Sequence, residues 1–159
     1  MAKKFLRDFE VGATAEQYVA WLLQRAGYSV ARSTGRDSDK DLCVSRGGLS
    51  CTIEVKFDRM SGATGNLAIE FWNPRSDLPS GITATRADYW VYVLEKPLVA
   101  YLVSVRSLVD FMAATQPLKS VRYAGDGNAS IHLYKLESLF PILGTLSETH
   151  PDAIHELFC

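Results

Sequence analysis

A carboxylate and an ammonium two residues apart are the side chains of this sequence best suited to chemistry. In Thr52-Ile53-Glu54-Val55-Lys56-Phe57, the alternation of a strand places Ile53, Val55 and Phe57 on one face and Glu54 beside Lys56 on the other. Setting two charges together on a strand otherwise suited to an interior is costly unless they are paired or used. Alone, such a Glu-x-Lys is most often an ordinary ion pair on a half-exposed strand. Asp41 changes that balance. It follows the polar loop 33–40, and a hairpin through Arg46-Gly47-Gly48-Leu49 brings the start of its strand back beside Glu54 and Lys56. Two carboxylates from adjacent strands, with the Val55 carbonyl beside them, supply the hard oxygen ligands that Mg²⁺ or Mn²⁺ takes. A cation held there polarises a phosphoryl oxygen and generates hydroxide from bound water. Lys56 is then placed to orient that water and to offset charge building up in the transition state.

Glu16 is the fourth candidate. Val19, Ala20 and Leu23 are its i+3, i+4 and i+7 neighbours, so it flanks the apolar stripe of a helix and can reach a sheet edge. An acid complementing the helix dipole is the equal alternative. Glu70, two residues before Trp72, either joins the acids or is a solvated strand residue. Arg59, Arg75 and Arg86 fall on the polar loops flanking these acids and are candidates for phosphate contacts, as are Ser80 and Thr85 by hydrogen bonding. Turn-capping is the competing role for the hydroxyls. Trp21, Trp72 and Trp90 sit in apolar runs and read as core. His132, His150 and His155 share no ligand spacing, and no phosphate loop of the Walker type is present.

The elements that must position these residues follow from periodicity. Ala15, Tyr18, Val19, Leu22, Leu23 and Ala26 recur at helical spacing before Gly27. Thr14 and Gln17 have capping-box spacing; a start near Phe5 is the alternative. Strands are expected at 28–32, 41–46, 51–57, 67–72, 89–94, 98–103 and 131–135. Ser104 is expected to cap a helix reaching about residue 114. Residues 73–86 read as a long loop of the kind often used for function. A turn at 125–128, a short helix after Leu136 and a polar tail complete the chain. This order predicts an α/β fold, a mixed central sheet flanked by helices, as one domain over 1–159.

Composition sets the limits. With 17 Lys and Arg against 18 Asp and Glu, the net charge is −1, so any DNA contact must come from a local cationic patch. Apolar residues make up 47% of the chain, enough for a real core. The three cysteines have no zinc spacing and suit a reduced, cytoplasmic protein. No apolar run suits a membrane span, and Met1-Ala-Lys-Lys-Phe-Leu lacks a secretory core.

A helix bearing Glu16, then Gly27-Tyr28-Ser29-Val30-Ala31-Arg32-Ser33, then Asp41, then Glu54-Val55-Lys56 resembles the PD-(D/E)XK nuclease superfamily, and within it the archaeal Holliday junction resolvases. Lys40-Asp41 stands where the superfamily has Pro-Asp. The second half is instead similar to small phage and bacterial nucleases of that superfamily, through Pro79-Ser80-Gly81-Ile82 and Thr85-Arg86-Ala87-Asp88-Tyr89-Trp90. The resemblance implies a restriction-endonuclease-like core, a phage-like origin, and an Mg²⁺- or Mn²⁺-dependent endonuclease acting on DNA. In it, Asp41, Glu54, the Val55 carbonyl and Glu16 serve the metal, and Lys56 serves catalysis. A homodimeric junction resolvase, a homing or restriction-type enzyme, and a nuclease-like module that only binds DNA remain alternatives.

Overall fold

The computed structural model describes residues 11–33 and 40–158. Helix α1 (Val11–Arg25) leads into β1 (Ser29–Arg32), β2 (Leu42–Arg46) and β3 (Leu49–Asp58). After the short α2 (Ser61–Thr64) come β4 (Asn66–Asn73), β5 (Leu78–Pro79), a 3-10 turn (Gly81–Thr83), β6 (Tyr89–Leu94), β7 (Val99–Ser104) and α3 (Val105–Ala114). The chain continues through β8 (Lys119–Ala124), β9 (Ala129–Lys135), α4 (Leu136–Leu139), β10 (Gly144–Leu146) and a 3-10 helix (Pro151–Phe158).

The stripe read from the sequence is the buried face of α1: Ala15, Tyr18, Val19, Leu22, Leu23 and Ala26 are all buried. The helix stops where Gly27 takes a φ of +82°, and the N–H groups of Gly27 and Tyr28 close on the carbonyls of Gln24 and Leu23. The capping-box reading is corrected. The helix is already formed by Val11, so Thr14 lies inside it, 1% exposed, and is not at its start. The alternative start near Phe5 lies outside the described residues.

Six strands form a mixed sheet in the order β1-β2-β3-β6-β7-β10. Its β3–β6 pair is parallel and the other neighbours are antiparallel. The β2–β3 hairpin turns at Gly47 and Gly48, whose φ values of +58° and +84° suit the tight turn that matches strand twist. A second, antiparallel sheet, β5-β4-β9-β8, takes the strands that the sequence reading assigned to one central sheet. It also contains β8, which periodicity missed: Lys119–Ala124 is an edge strand with no buried residue, so no apolar alternation marks it.

Two cores flank the six-stranded sheet. On one face α1 and the terminal 3-10 helix pack on Leu42, Val44, Ile53, Val91, Val93 and Leu102. On the other, Trp90, Tyr92, Leu94 and Val103 meet Leu67 and Ile69 of the second sheet and Leu108 of α3. Strand β6 is therefore buried on both sides, which explains its unbroken apolar run. The tail expected to be polar instead contributes Ile154, fully buried, with Leu157 and Phe158 packed beside it. No helix among the described residues is long and apolar enough to cross a membrane.

Candidate active site

Glu54 and Lys56 leave β3 on the face opposite Ile53. Ile53 packs into the α1 core, whereas the Lys56 ammonium lies 4.9 Å from the centre of the Trp90 ring, within the other core. The alternation read from the sequence is thus the geometry of the strand. Lys56 Nζ forms a close ion pair with Glu54 Oε1.

Asp41 joins them through an exchange of partners at the end of a ladder. The β2–β3 pairing runs from Arg46↔Leu49 to Leu42↔Ile53. One residue further, the Asp41 N–H donates to the Ile53 carbonyl at 2.9 Å. The Asp41 carboxylate then accepts the Val55 N–H at 2.7 Å, where a continuing strand would have offered a carbonyl. Asp41 therefore brackets Glu54 in the chain, bonded to the residue before it and the residue after it. Burial pushes the Asp41 carboxyl above its usual range, and the negative charges of Glu16 and Glu54 push it further; the Val55 hydrogen bond and the Lys56 charge oppose them. Glu16 reaches this cluster from α1 and is held by Arg32 of β1, Nη2 to Oε2 at 2.5 Å.

Thr85 was read as a phosphate contact. Its hydroxyl is instead committed inward, donating to Glu54 Oε2 at 2.5 Å. It also accepts from Trp90 Nε1 at 3.3 Å and from the Ala87 N–H at 3.2 Å. Glu54 is thus held on both oxygens, by Lys56 and by Thr85. The loop that carries Thr85 is pinned to β4: a Cβ on Gly81 would lie 2.3 Å from the Glu70 carbonyl oxygen, so only glycine fits there. The Thr83 hydroxyl donates to the Phe71 carbonyl in the same loop.

The remaining candidates are dispersed. Arg59 lies over the Phe57 ring, 5.6 Å from its centre, and Phe57 packs toward the α1 core, away from Glu54. Arg75 donates to the Asp126 carbonyl at 2.9 Å in the β8–β9 turn. Arg86 is exposed beside Thr85 in sequence. The Ser80 hydroxyl is buried without a hydrogen-bond partner among the described residues. Glu70 lines a cavity with Lys56 and Tyr92. A separate cleft of about 510 Å³ at the hairpin end of β3 is lined by Tyr28, Arg46, Tyr89 and His155, among others. Its one acid, Asp88, is engaged by the Thr52 N–H and hydroxyl, so that cleft carries no free acid for chemistry.

Among the described residues no three His, Cys, Asp or Glu side chains form a ready-made metal cage. The donor set nevertheless suits a hard divalent cation. Asp41 has one oxygen committed to a backbone N–H, Glu54 is beside it, and mutual repulsion with burial raises the Asp41 carboxyl, a cost that a bound cation would relieve.

No protein-family model matches the sequence, and no curated protein matches it. Among solved structures, the chain is similar to a bacterial homing endonuclease, I-Ssp6803I, with 20% identity and a TM-score of 0.53 over 77% of this chain and 75% of that one. The two share a fold.

Proposed function

We propose that this chain is a metal-dependent endodeoxyribonuclease of the PD-(D/E)XK kind, hydrolysing phosphodiester bonds of DNA with Mg²⁺ or Mn²⁺. The observation that carries this reading is the Asp41 carboxylate bonded to the Val55 N–H directly beside the Glu54–Lys56 pair. In it, Asp41, Glu54 and the Val55 carbonyl hold the cation, with Glu16 behind them. A divalent cation there supplies Lewis acidity toward a phosphoryl oxygen and acidifies bound water. Lys56 donates a hydrogen bond that orients the attacking water, and Thr85 fixes the Glu54 carboxylate. Of the nuclease alternatives, a homing or restriction-type enzyme draws support from the shared fold with a homing endonuclease. The junction-resolvase reading rests on the resemblance of the first half alone.

The test is cleavage of plasmid, single-stranded and branched DNA with Mg²⁺, Mn²⁺ or EDTA. Glu54→Gln and Asp41→Asn keep side-chain shape and remove a ligand charge. Each should abolish cation-dependent cleavage while the circular dichroism spectrum stays that of the parent. Full cleavage by either variant, with contaminating nuclease excluded, refutes the assignment. DNA binding by the parent without any cleavage would favour the module that only binds.

A further inference from the structure

Behind Lys56 lies a cavity of about 210 Å³ between the two sheets, lined by Lys56, Asp58, Glu70, Trp90 and Tyr92 with Ala68 and Ile131. Tyr92, the β6 partner of Lys56 in the parallel ladder, is 2% exposed, yet its hydroxyl has no hydrogen-bond partner among the described residues. A buried hydroxyl left unpaired is costly and calls for a group to fill it. Glu70, half-buried on β4, has no ion-pair or hydrogen-bond partner for its carboxylate among the described residues. Asp58, by contrast, is already occupied: it accepts the N–H groups of Met60 and Ser61 at 2.8 and 2.7 Å, and the Ser61 hydroxyl as well.

Lys56 is the one cation among the described residues lining this cavity, and its ammonium is engaged with Glu54. That engagement competes with the role assigned to Glu54, because an ammonium on Oε1 takes one of its acceptor sites and repels a cation's charge. Where a cation's charge drives Lys56 off Oε1, the ammonium released into a half-buried site needs another acceptor. The stem of Lys56 is flexible, with rotatable donors at its tip, and the face of the Trp90 ring already lies within reach of that tip.

We infer that Glu70 and the Tyr92 hydroxyl form the receiving site to which Lys56 moves when a divalent cation takes Glu54, so that both are positioning residues acting through Lys56. This rests on the metal-dependent nuclease reading. It differs from a direct ligand role for Glu70, since the carboxylate is assigned to the lysine and not to the metal. In the exchange the Lys56–Glu54 pair breaks and a Lys56–Glu70 pair forms. The Tyr92 hydroxyl, now beside an ammonium, accepts a second of its three N–H bonds, and the third is left for the attacking water. No proton changes owner.

The test is Mn²⁺ affinity, measured by calorimetry on the full chain without DNA. Glu70→Gln and Tyr92→Phe keep shape, and Tyr92→Phe removes an unpaired buried hydroxyl, so both should fold as the parent does. Combined, they should weaken Mn²⁺ binding about fivefold to tenfold, the scale of coupling between residues in contact. In a Lys56→Met background the same pair of changes should have no effect on affinity. Unchanged affinity in the parent background overturns the inference. So does an equal loss in both backgrounds, which would make Glu70 a partner of the metal itself. A parent chain that binds no Mn²⁺ and cuts no DNA would instead bring down the nuclease reading, and this inference with it.

Discussion

Thr85 holds three groups with one oxygen: it donates to Glu54 and accepts from Trp90 Nε1 and the Ala87 N–H. Thr85→Val keeps the branched shape and removes all three. Partners of metal-holding carboxylates are worth about tenfold to a hundredfold in affinity or activity, so Thr85→Val should lower cleavage by that order, and Thr85→Ser should recover most of it. It should also cost about 1–3 kcal/mol of stability, because the buried Trp90 N–H is left unpaired. A variant with parental cleavage and parental urea midpoint would remove Thr85 from the site. The Glu54–Lys56 face was legible in the sequence because strand alternation is strict. The role of Thr85 was not, since Thr85 lies 31 residues beyond Glu54 and no local pattern links the two. The anchoring of residues 81–83 against β4, and of Asp88 against Thr52 of β3, brings it there.

At the scale of elements, most amphipathic segments were readable, and an edge strand without an apolar period was not. Helix α1 and the α3 cap, Ser104 Oγ accepting the Ser107 N–H at 3.0 Å, follow directly from spacing. Edge strand β8 does not, and the terminal 3-10 helix, expected to be a polar tail, has Ile154, Leu157 and Phe158 at i, i+3 and i+4 among its charged residues. The latter offers a direct check: Ile154 is fully buried against the α1 core, so Ile154→Ala should cost about 2–5 kcal/mol in urea unfolding. A polar, undocked tail would cost nothing. Strand β9 makes a different prediction. His132 stacks on Phe71 with ring centres 4.1 Å apart, and burial holds its pKa below the ordinary histidine value. Above that ordinary value both folded and unfolded chains carry it neutral, and stability is unaffected. As pH falls through the unfolded value, near 6.5, the unfolded chain takes up a proton that the folded chain resists. Stability should therefore decline from about pH 6.5 downward until the folded value is passed, and His132→Phe should remove that component. Identical midpoints for parent and variant at every pH from roughly one unit above the unfolded value to well below it would contradict this.

For the molecule as a whole, the proposed function asks how a chain of net charge −1 would hold a polyanion. The sequence places Arg59, Arg75 and Arg86 on neighbouring loops, and equal weight on each was the natural expectation. The structure separates them. Arg59 covers Phe57, and Arg75 ties the loop after β4 to the β8–β9 turn. Arg86 is exposed one residue from Thr85, whose hydroxyl touches Glu54. Under the proposed function, Arg86 is the one of the three that adjoins a residue bonded to Glu54, whereas Arg59 and Arg75 are tied to Phe57 and to the Asp126 carbonyl. Replacing all three with Ala should weaken DNA binding and make its salt dependence shallower, by about 0.9 in the logarithmic slope for each phosphate of duplex DNA left without its arginine. Arg86→Ala alone should give about one such step. Arg75→Ala should instead lower stability, since its bond to the Asp126 carbonyl is intramolecular. Cleavage of saturating DNA at low salt should suffer less than binding in every case, because no metal ligand is touched. If the triple variant keeps both affinity and slope, these loops are not the DNA surface. The cations before Asp41, Arg32 and Lys40 with Arg36 between them in sequence, would then be the ones to replace.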